Sequence, residues 1–387
     1  MERKQERKRK KIDRLYYRFY QVLFPLFMFI LTIFLIANVL KRDRDFSEME
    51  NRKLDGKPKF SLSSFIKKDY KKDFSSYFSD QFIFRNSLMK INLNTKLISG
   101  KKELNDVYIA REGYLIGKNP IEINKTTDER IEEINKFAQK NKVKTSFMMV
   151  PSSEWVNRDK LPKLVKAHDE KAYIDHVYQG LDKKINKIDI LEDLEKSDQE
   201  VYYRTDHHWT SEGAFIAYQK MAKSLDYKKV KAADYETYQV ANDFRGSLDN
   251  KINGVRGKSD IITIYQPKEE TDMVIRYEDE KKKTSSLYDS KKLDIKDKYQ
   301  VFTGGNHSLI KIRTENLNER KALIVKDSYT NALLPFIAPN YETLLVVDLR
   351  YEALDLKELI EMEGIEEVIF IYSSNIFQND SSLSLIN

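Results

Sequence analysis

The chain has 387 residues, of which 41% are hydrophobic and 33% charged, so it can build one large domain or two ordinary ones. Its net charge is +7, but residues 1–14 hold eight Lys or Arg and three Asp or Glu, which places +5 in this tail and +2 elsewhere. This distribution excludes a basic nucleic-acid-binding domain. The lack of cysteine excludes disulfides, thiolate metal sites and a cysteine nucleophile.

The N-terminal region predicts a membrane anchor. Residues 22–40 are 19 consecutive residues without a charge, which is long enough to cross the hydrocarbon core of a bilayer. The basic tail, residues 1–21, precedes this segment, so the positive-inside rule places the tail in the cytoplasm and residues 43–387 outside the cell. A cleaved signal peptide and a buried core helix are the alternatives. No small-residue cleavage site follows the segment, which favours an uncleaved signal-anchor.

Residues 41–100 are predicted to be a juxtamembrane approach segment. Its first part, residues 46–62, is polar and is expected to be irregular, whereas residues 70–98 space their apolar side chains as in a packed helix. After it, residues 107–117 read as a strand, a tight turn at Gly113 and a second strand.

Residues 101–387 are predicted to form one three-layer α/β/α domain with a mostly parallel sheet, since helical and apolar strand patterns alternate along them. The first helix is expected over 126–142, with Thr126 and Glu129 as its capping box. Residues 226–320 interrupt the alternation and are read as a β-rich insertion. The main strands are expected at 143–150, 187–191, 321–325, 343–349 and 366–372, and a second main helix at 210–225.

Two strand-to-helix turns carry the residues that are the best candidates for catalysis. One turn holds Asp206, His207 and His208, and the other holds Ser328 after a buried strand. If the first turn is extended, Asp206 and His208 project to the same side, so they could form a triad with Ser328 while His207 points the other way. The alternatives are an Asx-turn at Asp206, a helix-capping role for Ser328, and a metal site that uses both histidines.

The motif around these histidines resembles a known family. The sequences "TDHHWTSEGA" and "VKDSYTNALLPFIAPNYETLLVVDLRY" resemble the two signature blocks of the DHHW family. That family is similar to the alginate O-acetyltransferases AlgJ and AlgX, which are SGNH-hydrolase-like proteins whose Asp-x-His element precedes the serine. The resemblance implies that Asp206 is the acid, His208 the base and Ser328 the nucleophile. Lys326 stands where such hydrolases commonly have glycine.

The resemblance also suggests residues that could stabilise the oxyanion or contact the substrate. Gly305 and Asn306, within "TGGNHS", and Tyr329 are the candidates, although a plain Gly-Gly turn explains the first two equally well.

The function implied by the resemblance is O-acyl transfer, by resemblance O-acetyl transfer, to a cell-surface or secreted polysaccharide. No cofactor or metal is implied. The acyl donor would be a multipass membrane O-acyltransferase that moves acetyl groups across the bilayer. Two alternatives remain open at this point: a carbohydrate acetyl-esterase with the same triad, and a non-catalytic glycan-binding or assembly subunit.

Overall fold

The computed structural model describes residues 2–47, 52–59, 69–227, 231–269 and 271–386. The chain forms two compact units, Met1–Asn92 and Leu93–Asn387. The described helices are α1 Glu2–Leu40, α2 Asp69–Gln81, α3 Arg85–Ile98, α4 Lys125–Lys140, α5 Ser153–Val156, α6 Glu170–Gly180, α7 Leu191–Glu195, α8 Ser211–Ser224, α9 Ser247–Lys251, α10 Leu334–Ile337, α11 Leu356–Glu363 and α12 Ser374–Asn379. The described strands are β1 Phe46–Ser47, β2 Arg52–Lys53, β3 Glu103–Leu104, β4 Val107–Ile109, β5 Leu115–Gly117, β6 Lys144–Val150, β7 Asn186–Ile188, β8 Tyr235–Phe244, β9 Asp260–Pro267, β10 Met273–Tyr277, β11 Lys282–Thr284, β12 Leu309–Thr314, β13 Lys321–Lys326, β14 Thr343–Val347 and β15 Glu367–Ser373.

In the first unit, the basic tail and the apolar segment form one continuous helix, α1, rather than two elements. Within it, Ile12–Leu40 is long and apolar enough to span a membrane, and it contains an 18-residue window with a mean hydropathy of 2.6. This stretch contains the uncharged segment 22–40 expected from sequence. The approach segment contains α2 and α3, and its strands β1 and β2 pair antiparallel where irregular chain was expected. In the remainder of that polar stretch, residues 54–59 are irregular, as expected, and residues 48–51 and 60–62 lie outside the described residues.

An eight-stranded mixed sheet forms the centre of the second unit, in the order β11-β10-β12-β14-β13-β15-β6-β7. The five strands from β14 to β7 are parallel, and β11, β10 and β12 extend the sheet as antiparallel strands. These three strands belong to the β-rich insertion predicted over 226–320, so half of that insertion continues the central sheet. Its other pair, β8 and β9, forms a separate antiparallel ribbon.

Both faces of the central sheet are covered, which gives the three layers expected from sequence. On β13, Ala322 and Ile324 pack in one core with Phe215 of α8 and Phe336 of α10. The alternate residues Leu323 and Val325 of the same strand pack in a second core with the side chains of α4 and α6. Strands buried on both faces explain the continuous apolar runs in the sequence.

The start of α4 differs from the prediction. Asn124 caps the helix, since its side chain accepts a hydrogen bond from the backbone N–H of Thr127, so the predicted capping box of Thr126 and Glu129 is wrong. Glu129 instead forms an exposed ion pair with Lys125. An asparagine placed two residues before the predicted cap is an equally good acceptor for an unsatisfied N–H, so local sequence did not distinguish the two starts.

Candidate active site

The Ser328 turn lies at the carboxyl ends of the parallel strands, directly after β13. Ser328 begins a short 3₁₀ helix, Ser328–Ala332, and Asp327 caps that helix by accepting from the Tyr329 N–H at 3.0 Å. The second carboxylate oxygen of Asp327 accepts from the N–H and hydroxyl of Ser373, at 2.7 and 2.6 Å. Asp327 therefore fixes the serine turn to the end of β15 and is not available to orient His208.

The histidine loop is held in shape by backbone pairing across it. Tyr202 and Trp209 form an antiparallel bridge, and the N–H of Tyr203 donates to the carbonyl of His208 at 3.2 Å. The indole N–H of Trp209 donates to the carbonyl of Tyr329 at 2.9 Å, which ties this loop to the serine turn. Trp209 is fully buried, so this link between the two loops is shielded from water.

The three residues predicted as a triad come together. His208 Nε2 lies 2.8 Å from Ser328 Oγ, and His208 Nδ1 lies 2.6 Å from Asp206 Oδ1. The same carboxylate oxygen accepts from the backbone N–H of His208 at 2.9 Å. This is the order of contacts that lets a histidine accept a serine proton while an acid holds its other nitrogen.

Asp206 is buried but well provided with hydrogen bonds. Its Oδ2 accepts from the N–H of Ser247 at 2.6 Å, at the start of α9. Burial raises the pKa of the Asp206 carboxyl, but the adjacent His207 and His208 and these hydrogen bonds outweigh burial and hold the pKa well below its usual value. The carboxyl is therefore ionised at neutral pH, as the acid of a triad must be.

Tyr299 completes the environment of His208. Its ring is stacked on the imidazole, and its hydroxyl points toward the carbonyl of Ser328 at 3.4 Å. Burial raises the pKa of Tyr299 well above its usual value, so the phenol stays neutral. Nothing in the local sequence around Tyr299 indicated this contact, because the residue lies in the insertion, far from both motifs.

His207 does not point away from the site, contrary to the prediction. Its ring centroid lies 3.8 Å from that of His208, and its Nδ1 lies 2.6 Å from the hydroxyl of Ser247. The loop curls after Asp206 instead of running extended, so adjacent side chains do not alternate sides. His207 and Ser247 thus form a second histidine–serine pair beside the first.

The curved histidine loop also brings together the residues of the alternative metal site. Asp206, His207 and His208 each offer a ligand atom, and these atoms lie within 4.8 Å of one another. Asp206 Oδ1 and His208 Nδ1 are already engaged with each other at hydrogen-bond distance, and His208 Nε2 is engaged with Ser328. A metal ion there would have to replace the contacts that define the serine–histidine–aspartate arrangement.

A polar cavity of about 430 Å³ opens onto Ser328 and both histidines. Gly305, Asn306 and Tyr351 line it together with the charged side chains of Glu280 and Lys292. Ser328 is half-buried at this cavity, so a substrate can reach its hydroxyl.

Of the three predicted oxyanion or substrate residues, two line the cavity and one does not fit the role. Gly305 and Asn306 line the cavity, and Asn306 is oriented by Asn331, whose Nδ2 donates to Asn306 Oδ1 at 2.9 Å. Tyr329 does not fit this role, because its N–H is bound by Asp327 and its hydroxyl donates to the His207 carbonyl at 2.5 Å. Tyr329 is instead a buried brace between the two loops. The N–H of Gly305 is also engaged, with the Phe302 carbonyl at 3.3 Å.

A buried ionic network lies behind these residues. Lys326, fully buried, donates to Asn331 Oδ1 at 2.8 Å and pairs with Asp348 at 3.3 Å. Arg350 binds the same carboxylate through two hydrogen bonds, at 2.8 and 2.6 Å. Burial lowers the pKa of Lys326, and Asp348 opposes that shift. Lys326 thus supports the side chain of Asn331.

Asp260 was also missed by sequence reasoning. Its carboxylate accepts from the N–H of Arg204 at 2.7 Å and from the N–H of Thr205 at 2.9 Å, and so holds the start of the histidine loop. In the sequence, Asp260 is notable only because it begins a strand-like apolar run.

The fold and site together define an α/β protein with a serine, histidine and aspartate in hydrogen-bond contact at the carboxyl edge of a mixed sheet. Residues 120–347, more than half of the chain, match the family described as DHHW protein, and the chain belongs to this family. None of the curated proteins matches it.

Solved structures with TM-scores above 0.5 share the fold, and another solved structure matches more weakly. A DHHW family protein from Eubacterium siraeum has a TM-score of 0.62 and 23% identity, over 74% of this chain and 97% of that one. Bacillus cereus PatB1, solved with a sulfonyl adduct, has a TM-score of 0.62 and 21% identity, over 73% of this chain and 98% of that one. The O-acetyltransferase domain of Pseudomonas putida AlgJ has a TM-score of 0.44 and 16% identity, over 73% and 95%.

Proposed function

We propose that the protein is a membrane-anchored, extracellular O-acyltransferase that modifies a polysaccharide through an acyl-serine intermediate, as an SGNH-like enzyme. The observation that carries the proposal is the 2.8 Å contact of His208 Nε2 with Ser328 Oγ beside an open polar cavity. An ionised, buried Asp206 on the other imidazole nitrogen supports it. The choice of an acetyl group comes from the resemblance of the two motifs to alginate O-acetyltransferases.

In the first half-reaction, Ser328 Oγ attacks the carbonyl carbon of the donor ester and His208 Nε2 takes the hydroxyl proton. The tetrahedral intermediate then collapses, the donor C–O bond breaks, and His208 returns the proton to the leaving alcohol. In the second half-reaction, a sugar hydroxyl attacks the acyl-serine, His208 takes its proton, and the proton returns to Ser328 Oγ as the serine leaves. Asp206 stays ionised throughout and stabilises the imidazolium.

The proposed location follows from α1. Its stretch Ile12–Leu40 is long and apolar enough to span a membrane, and the basic residues lie at its N-terminal end. By the positive-inside rule the second unit lies outside the cell, where acetyl-CoA is absent, so we propose a multipass membrane O-acyltransferase as acyl donor. A reporter that is active only in the cytoplasm, fused after residue 387, should remain inactive; activity would reverse the orientation.

The central experiment is covalent labelling of the detergent-solubilised full chain with a sulfonyl fluoride or a chromogenic acetyl ester, read by mass spectrometry. One adduct should map to the peptide that contains Ser328. Ser328→Ala should abolish it and His208→Ala should nearly abolish it, because a serine without a base remains protonated. Asp206→Asn should slow adduct formation on the order of 10⁴-fold by favouring the wrong imidazole tautomer.

The neighbouring histidine–serine pair supplies the matched control. Ser247→Ala removes the hydroxyl that contacts His207 but leaves the Ser247 N–H on Asp206, so the adduct should persist. His207→Ala should likewise be mild. If Ser247→Ala abolishes labelling and Ser328→Ala does not, the nucleophile is misassigned. Loss of labelling in His207→Ala as severe as in His208→Ala would instead favour a metal or a different base.

Transfer and hydrolysis share the acyl-enzyme and differ in the group that accepts the acyl chain. Glycan oligosaccharides added to the acetylated protein should discharge Ser328 faster than water does. If water discharges it equally fast with several glycans, the enzyme is a carbohydrate esterase. If no adduct forms with either reagent, the non-catalytic glycan-binding or assembly role becomes the better explanation.

A further inference from the structure

The helical hairpin that follows the anchor, α2 and α3 with the turn between them, presents an apolar surface in the first unit. Phe74, Phe78, Phe84, Leu88 and Ile91 are exposed by 44, 44, 63, 49 and 61%. The aromatic rings of α2 stack along one face, since Tyr70 stacks on Phe74 and Phe74 stacks on Phe78. The opposite face of α2 carries Lys72, Ser75 and Ser79, so the helix is amphipathic.

This apolar surface is continuous with that of α1. An apolar cleft of about 410 Å³ is lined by Leu31, Phe34, Leu35 and Asn38 of α1 and by Phe78, Phe82, Phe84 and Leu88 of the hairpin. The ring of Phe84 meets that of Phe34 edge to face, with centroids 6.5 Å apart. The exposed hairpin residues therefore prolong the outward-facing surface of the candidate membrane span.

Polar contacts fix the hairpin against the last turns of α1. Asn38 Oδ1 accepts from the N–H of Ile83 at 2.8 Å, and Lys41 Nζ donates to the carbonyl of Gln81 at 2.8 Å. The side chain of Gln81 in turn bonds the backbone of Arg44 in both directions, at 3.0 and 2.9 Å. The turn residues 82–84 therefore lie beside residues 34–41, at the C-terminal end of α1.

The depth of the turn follows from helix geometry. Phe34 lies six residues before Leu40, which at 1.5 Å per residue is about 9 Å from the end of α1. The hydrocarbon core is about 30 Å thick, so each leaflet contributes about 15 Å of it. If the last apolar residues of α1 lie at the edge of this core, Phe34 and its neighbour Phe84 lie within the outer leaflet. Water is then not the solvent of this surface.

We propose that the α2–α3 hairpin is an interfacial membrane-binding element whose apolar face is embedded in the outer leaflet beside the anchor. Its partner is lipid acyl chains, because the surface joins a lipid-facing helix without a polar break. The polar face, with Lys72 and the serines, lies toward the headgroups and water. This inference rests on the membrane anchorage in the proposed function and is independent of the catalytic assignment.

The absence of cysteine from the chain makes the test direct, since single cysteines can be introduced without removing others. Phe84→Cys and Leu88→Cys would be spin-labelled in the full chain reconstituted into phosphatidylcholine nanodiscs. Collision rates would be measured with oxygen, which concentrates in lipid, and with a nickel chelate, which stays in water. Ser79→Cys, on the polar face of α2, is the matched control, and Phe29→Cys in α1 reports the anchor.

The expected result is an oxygen-to-nickel collision ratio several-fold higher at residues 84 and 88 than at residue 79, and close to that at residue 29. A ratio at 84 and 88 equal to that at 79 overturns the proposal, because the face is then in water. Low collision with both reagents also overturns it, since protein then covers the face. A water-like ratio at residue 29 as well would show that the anchor itself is wrong. Residues 84 and 88 test the face separately, so one misfolded variant leaves the other informative.

Discussion

The ring of Tyr299 lies flat on the imidazole of His208, with centroids 3.9 Å apart and an angle of 7° between the planes. This contact matters because a histidine that must accept a proton from Ser328 and keep a hydrogen bond to Asp206 has only one useful ring orientation. Tyr299 reaches it from a short 3₁₀ helix, Lys298–Val301, at the edge of the cavity. A bulky flat wall thus limits rotation of the base.

Replacement of Tyr299 tests this role. Tyr299→Leu fills much of the space but removes the flat face, so labelling of Ser328 should slow by roughly ten- to a hundredfold, as small misplacements of catalytic groups do. Tyr299→Phe keeps the ring and loses the hydroxyl's contacts with the Ser328 carbonyl, at 3.4 Å, and with the Ala332 backbone, so its labelling rate should stay near that of the wild type. Equal, large losses in both variants would mean that the hydroxyl, and not stacking, is what matters.

Gly246 is expected to be sterically required. A Cβ added there would overlap the Asp206 side chain, with Cγ only 2.7 Å away, so Gly246→Ala must displace the carboxylate. We expect the labelling rate to fall toward that of Asp206→Asn, up to about 10⁴-fold. Gly56→Ala, where a Cβ meets nothing within 4 Å, is the control. A Gly246→Ala protein with a normal labelling rate would show that Asp206 can relax without cost.

The pH dependence of the free energy of unfolding should show the protonation of the Asp260 carboxyl. Burial raises the pKa of this carboxyl to about 6, against the opposing hydrogen bonds from Thr205 and Arg204. Between about pH 4 and 6 the folded state therefore holds a proton that the unfolded state has lost, so this group makes stability fall as pH rises, by about 3 kcal/mol in all.

Thermal melts of wild type and Asp260→Asn at several pH values check this sign. The difference in melting temperature between the two proteins should change across pH 4–6 and level off above about pH 6, where the carboxyl is ionised in both states. A constant difference over this range would mean that Asp260 is ionised in the fold. Its bonds to the histidine loop would then be those of a carboxylate of ordinary pKa.

The buried pair of Lys326 and Asp348 should respond asymmetrically to mutation. In Lys326→Met, Asp348 keeps both bonds from Arg350, whereas Asp348→Asn leaves the buried Lys326 ammonium without its ion-pair partner. Breaking a buried pair by removing one partner costs about 3–5 kcal/mol, and we expect Asp348→Asn to reach this range and Lys326→Met to fall below it. Denaturant melts of both variants and of the double variant give the coupling energy, which should be clearly nonzero. Additive losses would indicate that the pair does not interact.

Local sequence determined much of the architecture. The continuous apolar runs of β13, β14 and β15 predicted parallel strands buried on both faces, and these strands form the centre of the sheet. The uncharged stretch before residue 40 predicted a spanning helix because bilayer thickness sets a length that few soluble helices reach. The spacing of Asp206 and His208, together with the family motif, predicted which side chains meet Ser328.

Other features depended on contacts between distant parts of the chain. His207 turns toward His208 because Ser247, forty residues later, binds its ring, and no local rule contains that partner. Asp260, Gly246 and Tyr299 shape the triad from the segment read only as a β-rich insertion, and their signals in sequence are those of an ordinary strand residue, a turn glycine and a surface tyrosine.

The set of elements and the identity of the three central residues could therefore be predicted from sequence, because periodicity, length and motif are local properties. Tertiary structure alone decided which neighbours hold those residues: where the Asp206 carboxylate is anchored, which way His207 faces, and which ring confines His208. Hydrogen bonds, ring stacking and steric exclusion act over a few ångströms in space, and folding brings within that range residues such as His208 and Ser328, which lie 120 positions apart in sequence.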